Sequence, residues 1–166
     1  MSKPILLGQG YFWQDIEVGQ EFITFGRTIT ETDLMNFVTL TGMTEVIFTD
    51  ITHKGAMLGR VVPGALSYTL IEGLLVQGMV QATGMALLEV HKRILAPVRV
   101  GDTIHGHVLI TDVRETSKHG RAVISSVVSI INQQDEIVMT YEVKRLLAGD
   151  PARQKRESAM TVEQTS

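Results

Sequence analysis

The sequence predicts a single α+β domain in which one antiparallel sheet curls around one long helix. Three observations carry this expectation. The segment Gly64 to Gln81 is apolar on nearly every helical face, so something must wrap it. Four strand-like stretches follow it, joined by connections that suit antiparallel pairing. And 166 residues, 44% of them apolar, make one domain with ample core.

Each element has a local reason. Tyr11 to Gln20 leads in, with a turn at Gly19. Glu21 to Ile29 mixes β-branched and aromatic residues without a helical period and is expected as one first strand. Thr30 then opens Thr-Glu-Thr-Asp, a helix start in which Thr30 caps the orphan amides and Glu31 and Asp33 favour the positive first turn. Leu34, Phe37, Val38 and Thr41 follow at helical spacing, and Gly42 stops the helix. Met43 to Val62 has no sustained period; a loop this long is usually functional or has short helices of its own. Pro63 marks the start of the buried helix, since its missing amide costs nothing in a first turn. Strands are expected at about Ala86–Leu95, Thr103–Val113, Arg121–Ile131 and Ile137–Leu146, with turns at Gly101-Asp102, Thr116–Gly120 and Gln133–Glu136. The last strand alternates, with Ile137, Met139, Tyr141 and Val143 on one face. Residues 1–12 are read as an extension, 13–148 as the domain and 149–166 as a disordered polar tail.

Composition removes several function classes. A formal charge of −3 and a pI near 5.9 give no long-range pull toward nucleic acid or an anionic membrane. With no cysteine there is no disulfide, thiolate metal site or cysteine nucleophile. Ile5-Leu6-Leu7 is too short for the apolar core of a signal peptide. The Ala65–Val80 stretch is interrupted by Ser67, Thr69, Glu72 and Gln77, whereas a span needs ~20 mostly apolar residues. The expectation is a soluble, cytoplasmic protein without a membrane or nucleic-acid partner. His105 and His107 share a strand face but lack a third convergent ligand, so no metal site and no cofactor are expected. Met35, Met43, Met57, Met79, Met85 and Met139 are read as core filling, with Met43 and Met57 also suited to an adaptable pocket. Glu72 lies among Leu70, Ile71, Leu74 and Leu75 and needs a partner, structural or across a subunit interface.

Four words in order carry a family resemblance: Gly19-Gln20-Glu21-Phe22, the Thr28 to Asp33 helix start, Gly59 to Leu66 (GRVVPGAL) and Pro97 to Thr103 (PVRVGDT). Together they resemble the MaoC-like branch of the hotdog fold, the (R)-specific enoyl-CoA hydratases and related dehydratases, over roughly Trp13 to Leu146. The resemblance implies a hotdog domain, an acyl-CoA thioester substrate, and a homodimer or larger oligomer with the acyl site between subunits.

The family's active loop resembles G-D-x-N-P-x-H-x-D. Here that stretch reads Gly42-Met43-Thr44-Glu45-Val46-Ile47-Phe48-Thr49-Asp50, so the catalytic aspartate falls on Met43 and the histidine on Phe48. A histidine often found before the helix glycine is Pro63. Hydrating an enoyl thioester needs groups that polarise water and handle a proton, each contributing ~10²–10⁴-fold. Methionine and phenylalanine do neither. The electrophilic half remains, with amides near Gly64 placed for the thioester oxygen. Glu45, Asp50 and His53 are the candidate replacement bases. Asp50 and His53, three apart, would share a helical face as an acid–base pair; alternatively Asp50 caps a short helix and His53 is loop surface. Met43, Phe48, Gly64 and Ser67 are the candidate substrate contacts, although Ser67 and Thr69 can also bond back to their own helix. Three functions fit these residues: a hydratase or dehydratase with a changed loop, a non-catalytic acyl-CoA binder, and an acyl-CoA thioesterase using Asp50 or Glu45.

Overall fold

The computed structural model describes residues 6–53, 60–117 and 120–153. Its elements are β1 (Glu21–Ile23), β2 (Arg27–Thr28), α1 (Glu31–Thr41), α2 (Val46–Thr49), α3 (Gly64–Leu75), β3 (Gly84–Ile94), β4 (Thr103–Glu115), β5 (Arg121–Ile131) and β6 (Ile137–Ala148). The strands form one antiparallel sheet in the order β1-β4-β5-β6-β3, with β2 also paired to β4. The expected α+β architecture, a sheet curled around a central helix, is what the chain adopts.

The sheet is seated on α3 through a glycine. Gly106 of β4 lies so close under the helix that a Cβ there would meet Ile71 Cγ2 at 2.8 Å. Ile71 is fully buried, and Leu66, Leu75 and Met79 join it in a core shared with Val108, Val128, Ile130 and Tyr141. Burying such side chains stabilises by about 1.5–3 kcal/mol each. The expectation that the Gly64 to Gln81 segment is wrapped all round needs correcting: Thr69 and Gly73 of α3, and Val76 and Gln77 beyond it, are exposed. The curl of the sheet covers the face of α3 that carries Leu66, Ile71 and Leu75. The helix also ends at Leu75, with a π-helical turn over Val76–Val80.

Two further expectations change. The first strand is two, because Thr24 to Gly26 leave the regular ladder while Thr24 still bridges to β4. Its N–H donates to Gly106 O and its Oγ1 accepts from Gly106 N–H, both at 2.9 Å. And β3 does not pair with β4; it lies at the far edge beside β6, while β4 sits between β1 and β5. The segment between them therefore crosses the end of the sheet. Leu95 and Ala96 N–H both donate to Val138 O, Val62 N–H donates to Val98 O, and Gly101 N–H donates to Ile29 O. This crossing decides where the cavity below is.

The α1 start forms as expected, as a capping box: Thr30 Oγ1 accepts from Asp33 N–H at 3.1 Å and Asp33 Oδ2 accepts from Thr30 N–H at 2.8 Å. Arg27 pairs with the same carboxylate at 2.7 Å. Gly42 closes the helix at φ +72°, the left-handed conformation glycine adopts without a steric penalty. Residues 149–153 lie against the N-terminal turn, where Arg153 pairs with Asp15 and Asp150 N–H donates to Gln14; the rest of the expected tail, 154–166, is outside the described residues. No helix among the described residues is long and apolar enough to cross a membrane.

Candidate functional site

A cavity of about 280 Å³ opens at the head of α3. Four pieces of chain build it. The approach to α3 contributes Val61, Val62, Pro63 and Gly64, and α2 contributes Ile47 and Phe48. The crossing segment adds Leu95 to Val98, and Ile94, Val138 and Met139 come from β3 and β6. Among the described residues of the lining, Ser67, one turn into α3, is the only one with a polar side chain, and none is charged.

Two features at this helix head suit an oxygen acceptor. The N-cap is Pro63, whose side chain makes no capping hydrogen bond, and among the described residues no other side chain bonds the first-turn amides. Only the Leu66 N–H turns back, to Pro63 O at 2.9 Å. Then Ser67, 1% exposed, has a buried Oγ with no hydrogen-bond partner. Its neighbour Thr69 takes the local alternative and donates to Ala65 O. An unpaired buried hydroxyl costs about 1–3 kcal/mol, which a ligand oxygen would recover. Gly64 keeps this head open, since a Cβ there would meet Ile94 Cδ1 at 2.5 Å.

Of the residues singled out from sequence, Phe48, Gly64 and Ser67 meet at this cavity, while Met43, Asp50 and His53 are not among its lining residues. Met43 is 43% exposed. Asp50 ends α2 on the exposed side, where its Oδ1 accepts from Thr52 N–H and Oγ1–H at 2.8 and 2.7 Å. Those two bonds, the hydroxyl first, hold the Asp50 carboxyl below its ordinary range, with a smaller pull from His53. His53 N–H donates to the Asp50 backbone oxygen at 3.2 Å. Glu45 caps α2 through the Ile47 N–H at 2.9 Å. Among the methionines, Met79 and Met139 are buried, Met35 and Met85 are exposed, and Met57 is outside the described residues. His105 and His107 belong to no metal-holding cluster among the described residues; His107 pairs with Glu21 instead.

Glu72 finds its partners within the chain. Its Oε1 accepts from Tyr141 Oη at 2.6 Å and from Arg145 Nη2 at 2.5 Å. Arg145 is 6% exposed and Tyr141 1%. Burial, then the Glu72 charge, pushes the Tyr141 phenol far above its usual range. A second ring, Tyr68, stacks edge-on against Tyr141 with Lys92 4.0 Å over its face. This network braces α3 on β6 one to two turns beyond Ser67.

No protein-family model matches the sequence. Against curated proteins, 113 residues, 67% of the chain, are 33% identical to Protein MaoC of Klebsiella aerogenes, and the match spans a third of that protein. Among solved structures, a MaoC-like dehydratase from Rhodospirillum rubrum superposes with a TM-score of 0.78 at 19% identity, over 86% of this chain and 99% of that one. A Mycobacterium tuberculosis protein with a double hotdog fold gives 0.72 at 19% identity, over 89% of this chain and 46% of that one. The resemblance read from the sequence words is therefore matched by a sequence relative, Protein MaoC, over a third of that protein, and the chain has the hotdog fold of the solved MaoC-like structures.

Proposed function

We propose that this chain holds an acyl-CoA thioester, with the acyl group in the cavity and the thioester oxygen at the head of α3. The observation that carries the reading is the unpartnered Ser67 hydroxyl, buried beside the first turn of a helix inside an otherwise apolar pocket. The amides and the hydroxyl supply hydrogen bonds where negative charge gathers on a polarised carbonyl, and the positive end of the helix dipole adds to them. Binding alone needs nothing more. Adding water across an enoyl double bond needs a base within ~3 Å of the proton it moves, directly or through one water. The described residues of the lining offer none, and by the sequence resemblance Phe48 falls where the family carries its histidine. The geometry thus supports an acyl-CoA-binding hotdog domain with the electrophilic half of a hydratase site.

One observation favours a second reading, turnover as an enoyl-CoA hydratase or dehydratase. Asp50 and His53 follow directly on α2, which contributes Ile47 and Phe48 to the cavity. On that reading the Asp50–His53 pair is the replacement acid–base couple. For assembly, the reading includes a second copy across β3. That strand is an 11-residue edge whose Met85, Leu87, Leu88 and Ile94 side chains are all more than half exposed, and an uncovered apolar edge invites pairing.

Titration with crotonyl-CoA, followed for both binding and consumption, separates the readings. Saturable binding without consumption supports the binder. Hydration abolished by Asp50→Asn supports the enzyme, and release of free CoA makes it a thioesterase. Failure to bind any acyl-CoA overturns the proposal.

A further inference from the structure

We infer that the cavity selects acyl groups bearing neither a hydroxyl at the β-carbon nor a carboxylate along the chain: unsubstituted saturated or enoyl thioesters are its ligands. The inference rests on the thioester reading above and deepens it. Once the thioester oxygen has taken Ser67 and the first-turn amides, the acyl carbons beyond it meet Phe48, Val62, Ile94, Val98, Val138 and Met139. Apart from the weakly accepting Met139 sulfur, none of these side chains can donate to or accept from a hydroxyl.

Among the described residues, four charged groups near the cavity are held by other partners. Glu45 serves the start of α2 and Asp50 the Thr52 turn, both on the exposed side of that helix. Arg60 pairs with Glu31, and Lys92 lies over the Tyr68 ring. A β-hydroxyl would therefore enter an apolar pocket and lose its water without replacement. Pockets of this kind reject an added hydroxyl by about 10- to 100-fold. An ionised carboxylate, losing far more hydration, is rejected more strongly still. A hydratase has to hold the hydroxyl of its product, and beyond Ser67 the described lining has no strong hydrogen-bonding side chain to do so.

The test compares ligands that share the whole CoA moiety, so its contribution cancels. Butyryl-CoA, crotonyl-CoA, both enantiomers of 3-hydroxybutyryl-CoA, and succinyl-CoA are titrated calorimetrically into the intact protein. Butyryl- and crotonyl-CoA are expected to bind within about threefold of each other, with the hydroxyacyl ligands about 10- to 100-fold weaker and succinyl-CoA weaker again. A Phe48→His variant, which puts a hydrogen-bonding ring at the cavity wall, should recover much of the hydroxyacyl affinity. Either hydroxyacyl enantiomer binding as tightly as crotonyl-CoA overturns the selectivity while leaving the thioester site standing. Binding of none of the five overturns the thioester reading itself.

Discussion

Replacing Glu72 by leucine removes one carboxylate and strands two partners. Arg145 is 6% exposed, and its Nη1 reaches only Ser126 Oγ at 3.5 Å once the 2.5 Å bond to Glu72 is gone. Tyr141, 1% exposed, loses the acceptor for its hydroxyl. Breaking a buried ion pair from one side typically costs about 3–5 kcal/mol, because a charge is left without compensation. For a domain of this size that corresponds to a fall in Tm of roughly 10–20 °C. The pair itself is worth much less than its breakage costs, so Glu72→Leu with Arg145→Met should lie within about 2 kcal/mol of the parent. Urea unfolding of the parent, both single variants and the double closes the cycle. A Glu72→Leu loss under about 1 kcal/mol, or a double variant as unstable as the sum of the singles, would refute the view that this pair is coupled, buried and structural.

Other perturbations have equally definite outcomes. Thr30→Ala removes half of the α1 capping box and should lower stability by about 0.5–2 kcal/mol in the same unfolding assay. Burial raises Asp33, but the Thr30 hydrogen bonds and Arg27 outweigh it and hold the carboxyl below its ordinary 3.8. Its contribution is therefore complete above pH 3.8 and lost as pH falls through the lower folded value, so Asp33→Asn should flatten the acid limb of a stability–pH curve. Gly64→Val fills the helix head beside Ile94 and should weaken butyryl-CoA binding by about tenfold or more, by calorimetry, because the thioester can no longer approach the amides. Sedimentation should give at least twice the 18.3 kDa chain mass at micromolar concentration, and Leu88→Lys on the exposed face of β3 should shift it toward the monomer.

Much of the fold was legible because its signals are local. Thr30 to Asp33 writes its own cap, and Gly42 its own stop. The turns at Gln133–Glu136 and before Arg121 fix two hairpins whose strands match their expected bounds closely. Sheet order is not local: nothing in Leu95 to Asp102 says that it crosses the sheet end instead of folding β4 back onto β3. The same holds for Glu72, whose need for a partner was plain while the partners themselves lie 69 and 73 residues away. The site divides along the same line. Gly64 and Phe48 stood out through the family's motif spacing. Ser67 stood out only as one of two helix hydroxyls; the fold buries Ser67 and leaves Thr69 exposed, bonded back to its own helix. Asp50 and His53 had the spacing of a pair, but the Thr52 amide and hydroxyl lie nearer to the Asp50 carboxylate in sequence and claim it.

The proposed seat of the thioester oxygen, between Ser67 and the first turn of α3, can be read by infrared difference spectroscopy of bound butyryl-CoA labelled with ¹³C at the carbonyl. Hydrogen bonds from fixed donors weaken the C=O bond, so the account expects the carbonyl band to move to lower frequency than in free solution and to return part of the way in Ser67→Ala. A bound ligand whose carbonyl band is at its free-solution frequency, unchanged by Ser67→Ala, would contradict it.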